Sequence, residues 1–149
     1  MIREVCVDAS VAVKWYVPEE WREQALALLD ECSRLGVEMV APDHFFSEAG
    51  NAIWRSAIRG IITGESGIAS IVLLAGLNIE PFDVRDLYVD AWRIAETFSR
   101  PTLYDAYYLA LCEQRGCDLW TADERLVNCV SGLSYVRHIR DFVPGALGG

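Results

Sequence analysis

The stretch TLYDAYYLALCEQRGCDLWT, residues 102–121, decides the fold class. From Leu103 to Cys112 it is apolar nearly all round, and a helix without a polar face belongs in an interior. Gly116 ends that helix, and Asp118–Thr121 follows as a short strand. The same alternation extends outward in both directions. Short strands are expected at Ile2–Val7, Val37–Ala41, Asn78–Phe82 and Ser134–Val136. Between them lie helical segments: Val11–Tyr16 capped by Ser10, Glu19–Leu35, a long helix from Pro42 to about Arg59, and Thr63–Leu77. Asp86–Phe98 and Asp123–Val130 complete the set. Strands alternating with helices predict a parallel sheet covered on both faces. Ligands of such sheets sit at the carboxyl ends of the strands, where the strand order reverses.

The chain has 149 residues, the length of one domain. It is 52% hydrophobic and 23% charged, with mean hydropathy +0.18, which excludes a disordered or collagen-like chain. No apolar run reaches the roughly 18 residues of a membrane span; the longest, Ile68–Leu77, is broken by Ser70 and Gly76. The opening Met1-Ile2-Arg3-Glu4-Val5 does not read as a secretory signal. Net charge is −9, a poor match for a sequence-blind nucleic-acid coat. It does not exclude a nucleic-acid enzyme, because a bound cation reverses the sign locally. The five cysteines form no C-x-x-C pair and only two histidines are present, so zinc is not expected. Buried free thiols in a reducing cytosol are the expected state, and with them a cytoplasmic location.

Most of the 22 acidic residues read as surface. Glu19, Glu20, Glu23, Asp30 and Glu31 share a helix with Arg22 and Arg34, which suits a solvated face; Asp86, Asp90 and Glu96 read the same way. Asp43 suits the first turn of its helix. Four acids fit that description less well. Asp8 follows the first strand and Asp123 the fourth. Asp105 heads the buried helix, three residues after Thr102, with which it can also form a capping box. Glu48 lies inside a helix with no lysine or arginine at i+3 or i+4, and His44 at i−4 is its only local cation. Helix capping is the ordinary alternative for Asp8 and Asp123, and partial exposure for Glu48. If the first and fourth strands are neighbours, however, Asp8, Asp105 and Asp123 meet at one sheet edge and Glu48 can join them. Four clustered carboxylates raise each other's pKa, and a divalent cation removes the conflict. Oxygen ligands without nearby His or Cys favour Mg²⁺ or Mn²⁺. The chemistry implied is metal-assisted phosphodiester hydrolysis.

These segments resemble the motifs of PIN-domain ribonucleases, of the VapC toxin type found in prokaryotic toxin–antitoxin pairs. Asp8-Ala9-Ser10-Val11-Ala12-Val13-Lys14-Trp15 resembles the opening motif, and Glu48 with Asn51 the second. Tyr104–Leu111 resembles the third and Thr121–Leu126 the fourth. The resemblance implies one PIN-like domain over residues 1–149, a three-layer α/β/α sandwich with about five parallel strands. It implies a catalytic set of Asp8, Glu48, Asp105 and Asp123, with Asp8, Asp105 and Asp123 holding Mg²⁺ or Mn²⁺ and Glu48 positioning or deprotonating the attacking water. Ser10 and Thr121 would orient carboxylates or waters. The implied partners are an RNA substrate, a cognate antitoxin and a second copy of the chain, with no membrane.

Lys14, the only lysine, and Arg55 are candidate RNA contacts, as is Arg59; the alternative for Lys14 is a helix surface. Trp15, Trp54 and Trp92 are expected in core or subunit packing, and Tyr104, Tyr107 and Tyr108 in the core. Other enzyme classes gather aspartates around Mg²⁺ as well. A receiver domain needs a lysine after its last strand, and a haloacid-dehalogenase-like phosphatase needs a second aspartate where Ser10 stands. The non-enzymatic alternative is a catalytically silent PIN domain acting as an interaction module.

Overall fold

The computed structural model describes residues 2–148. Five strands, β1 (Glu4–Val7), β2 (Glu38–Pro42), β3 (Ile79–Phe82), β4 (Asp118–Thr121) and β5 (Val136–His138), form one parallel sheet in the order β3-β2-β1-β4-β5. Successive strand residues face opposite sides of a sheet. Val5, Cys6 and Val7 are all buried, so helices cover both faces and the domain is the expected α/β/α sandwich. The chain builds outward from β1 to β3, then returns to place β4 on the other side of β1. The strand order therefore reverses between β1 and β4, which opens a crevice at their carboxyl ends.

The helices are α1 (Ala9–Ala12), α2 (Arg22–Leu35), α3 (Phe45–Ile58), α4 (Gly64–Ala75), α5 (Tyr88–Thr97), α6 (Tyr104–Arg115) and α7 (Glu124–Cys129). The central one is α6, buried at every position from Ala106 to Cys112 and packed on β1, β2 and β4. It ends at Gly116 in the left-handed region, φ 65°, where a side chain would be strained. All five cysteines are free and four are buried, as expected.

Several boundaries differ from the sequence reading for physical reasons. Asp8, not Ser10, caps the first helix: its backbone is extended and its carboxylate accepts the N–H groups of Ser10 and Val11. Pro42 does not open α3. It is the last residue of β2, opposite Phe82, and the ladder continues through the N–H of Asp43 to the Phe82 carbonyl. Asp43 therefore precedes the helix, which begins at Phe45. Trp21 stands at φ 60°, so α2 begins at Arg22 rather than Glu19. Thr102 caps nothing, because α6 starts at Tyr104 after a residue that makes no side-chain cap bond. The last strand lies at Val136–His138, two residues beyond the expected start, opposite Leu119–Thr121. Glu31 is not on a solvated face but fully buried. Tyr104 is about 60% exposed and not core; Trp54 and Trp92 are equally exposed, which leaves subunit packing rather than the core as the expectation for them.

Candidate active site

Each expected site residue is placed by a strand end or by a helix packed beside it. Asp8 leaves β1 and is buried. Its Oδ1 accepts the Ser10 hydroxyl at 2.5 Å and the N–H groups of Ser10 at 3.0 Å and Val11 at 3.3 Å. Its Oδ2 accepts the hydroxyl of Thr121, the last residue of β4. The Thr121 oxygen in turn accepts the N–H of Asp123 at 3.0 Å, and the Ser10 oxygen accepts the N–H of Ala122 at 2.8 Å. These bonds lace the ends of β1 and β4 together. Asp123 caps α7, accepting the Leu126 N–H at 3.1 Å.

Asp105 enters from the first turn of α6, and its Oδ2 accepts from Arg100 Nη2 at 3.0 Å. Glu48 enters from α3. Its Oε1 accepts the Tyr108 hydroxyl at 2.8 Å and lies 3.1 Å from His44 Nε2. The His44 contact lies off the line of a good hydrogen bond.

The environments push these acids apart. Burial raises the Asp8 carboxyl to about 6, against the opposing bonds from Ser10, Thr121 and Val11. Burial also raises Asp105, partly offset by Arg100, with Asp123 and Glu48 adding repulsion. At Glu48 burial pushes upward, but His44 and Tyr108 outweigh it and the group falls below its ordinary value.

All four acids line one cleft of about 490 Å³, together with Ser10, Lys14, Arg55 and Arg59. Thr121 is fully buried beneath it. Lys14 is buried as well, which excludes the surface-lysine alternative; its Nζ lies 3.6 Å from Glu19. Sequence reasoning missed Arg100 and assigned Tyr108 only to packing. Tyr108 carries no local signal, since it meets Glu48 across 60 residues; Arg100 is near Asp105 in sequence but lies in a loop, where no helical spacing marks the pair.

The donor set is hard oxygen throughout, which in kind suits Mg²⁺ or Mn²⁺. As the side chains lie, no three acidic, histidine or cysteine residues converge on one point among the described residues. Asp8 is held by hydroxyls, Glu48 by Tyr108 and Asp105, through Oδ2, by Arg100.

Fold and site together define an α/β protein with four carboxylates in one cleft at its topological switch point. The PIN domain profile matches residues 5–129, and the chain belongs to the PIN-domain family, among its VapC-type members. It is 30% identical over 127 residues to Ribonuclease VapC3 of Pyrobaculum aerophilum, covering 83% of this chain and 92% of that protein. The fold is similar to the crystal structure of PAE2754 from Pyrobaculum aerophilum, with TM-score 0.66, 21% identity, and coverage of 94% and 93% of the two chains. It is also similar to Mycobacterium tuberculosis VapC20, described as a sarcin–ricin loop cleaving toxin. There the TM-score is 0.57 and the identity 17%, over 89% of this chain and 98% of that one.

Proposed function

We propose that the protein is a VapC-type ribonuclease, the toxin of a toxin–antitoxin pair, that hydrolyses RNA phosphodiester bonds with Mg²⁺ or Mn²⁺. The observation that carries this reading is the convergence of Asp8, Glu48, Asp105 and Asp123, from separate elements of the fold, on one cleft. Asp8, Asp105 and Asp123 would hold the cation. When bound, it supplies a more acidic water and neutralises charge on the phosphoryl oxygens. Glu48 is held below its ordinary pKa, so it stays ionised at neutral pH and is suited to orient the attacking water by accepting its hydrogen bond. Ser10 and Thr121 fix the Asp8 carboxylate. Arg55 and Arg59 are cations on the cleft wall and would meet RNA phosphates, whereas Lys14, buried beside Glu19, would first have to leave that contact.

Partner binding has surface to use. Trp54, Ile58, Ile61, Ile68, Val72 and Leu73 are exposed on and beside α3 and α4, and Val89 and Trp92 on α5. These faces support a homodimer and a cognate antitoxin, in a cytoplasmic setting.

The bonds already made by Asp8 and Asp105 favour a second reading, a catalytically silent PIN module. One experiment separates the two. Purified protein is incubated with a panel of structured RNAs, a sarcin–ricin-type stem-loop among them, with Mn²⁺ or Mg²⁺. The ribonuclease reading expects cleavage that EDTA stops and that Asp105→Asn loses together with Mn²⁺ binding, in a protein at least as stable as wild type. A folded Asp105→Asn protein that cleaves normally would sink the site assignment.

A further inference from the structure

Glu48 differs from the other three acids in how it is held. His44, one turn earlier on the same segment, and Tyr108, from the middle of α6, both meet Oε1. Oε2 takes neither contact. Tyr108 is buried, and burial together with the Glu48 charge keeps its hydroxyl protonated, so it is a standing donor. His44 is fixed in turn by the rings of Tyr108, Tyr107 and Tyr104, at centroid distances of 5.0, 5.3 and 5.9 Å.

We propose that His44 and Tyr108 are positioning residues for hydrolysis, clamping Oε1 of Glu48 so that Oε2 is presented to the attacking water. The proposal rests on the ribonuclease reading above. A glutamate side chain has three rotatable bonds and loses rotamer freedom when it must act from one geometry. A clamp meets that cost on folding rather than in the reaction, and misplacement by about 1 Å can cost roughly 100-fold in rate. Neither residue needs to touch RNA. A purely packing role for Tyr108 would use its ring alone, and a packing role for His44 would be met by any side chain of similar size.

The test uses the full chain and the panel RNA that wild type cleaves in Mn²⁺. Values of kcat and KM are measured for wild type, Tyr108→Phe, His44→Leu, His44→Gln and Glu48→Gln. Tyr108→Phe keeps the ring and is expected to lower kcat about 10-fold, with KM and the Mn²⁺ midpoint within about twofold of wild type. His44→Leu should behave alike, and His44→Gln should regain most of the loss, because its amide restores a polar nitrogen beside Oε1 in place of the Nε2 contact at 3.1 Å. In a Glu48→Gln background, Tyr108→Phe should add little. Wild-type kcat in Tyr108→Phe overturns the clamp. So does a loss in His44→Leu that His44→Gln fails to rescue, and so does full activity in Glu48→Gln. A wild type inert on every RNA overturns the ribonuclease reading itself, and the clamp with it.

Discussion

The Thr121 hydroxyl donates to Oδ2 of Asp8 across 113 positions of sequence, joining the carboxyl ends of β4 and β1 at the point where the strand order reverses. The same oxygen accepts the Asp123 N–H, so one buried hydroxyl serves two acids of the cleft. Thr121→Val keeps the shape and removes both bonds. It leaves a buried carboxylate oxygen and a backbone N–H without partners, at a cost of about 1–3 kcal/mol each before relaxation. Urea denaturation should show a loss of at least about 2 kcal/mol in Thr121→Val, and most of it recovered in Thr121→Ser. A Thr121→Val protein as stable as wild type would show that the bond holds nothing together.

Asp8 sets a pH dependence in the metal-free protein. Its carboxyl lies at about 6 in the fold, against a reference of 3.8, so the folded state holds its proton more tightly than the unfolded chain. Stability from this group is fully present below about pH 4 and is lost as pH rises through about 6. The shift corresponds to ~3 kcal/mol across that window, an upper order of magnitude. EDTA-treated wild type and Asp8→Asn should therefore diverge between pH 4 and 7, with the asparagine variant gaining relative stability as pH rises. Parallel curves for the two proteins would show that Asp8 is not strained by burial. Added Mn²⁺ should return stability to wild type above pH 6 and not to the variant.

On the proposed function, Arg100 competes with the cation for Oδ2 of Asp105. It holds Oδ2 at 3.0 Å and adds positive charge beside the cleft. Arg100→Ala frees the oxygen and makes the cleft more negative, and both changes favour a divalent ion. Calorimetric titration with Mn²⁺ at pH 7.5 should show affinity raised several-fold, in a protein slightly less stable than wild type. Unchanged or weaker binding would place the ion away from Asp105.

The sheet was legible because its central strands β2, β1 and β4 are short, mainly apolar runs, two of them preceded by Gly36 and Gly116, and because a helix as apolar as α6 has only one place to go. The acids were legible because Asp8 and Asp123 follow strands and Asp105 heads that helix. What holds them was legible only in part: Ser10 and Thr121 were expected beside the acids and His44 beside Glu48, and the structure places them there. The partners missed, of Glu48 and Asp105, are a tyrosine that packs like any core aromatic and an arginine in a loop. Pro42 misled for a local reason: proline suits a helix start in general, and here it ends a strand whose next N–H, from Asp43, carries the ladder on.

Glu31 shows the same limit and supplies the last prediction. Its position on α2 beside other acids reads as surface, yet it is 2% exposed. Its two oxygens accept the N–H groups of Gly145 at 2.6 Å and Leu147 at 2.8 Å, and backbone donors leave no mark in a side-chain pattern. The carboxylate fastens the C-terminal turn, with Leu147 buried, onto α2. Glu31→Gln turns one acceptor into a donor facing an N–H, and should cost about 2–3 kcal/mol in urea denaturation, with cleavage unaffected because the cleft lies elsewhere. In a chain ending at Phe142 both donors are gone, so the same substitution should cost almost nothing there, and the double-mutant cycle isolates the bond. An equal cost in the full and shortened chains would mean that the terminal turn is not what Glu31 holds.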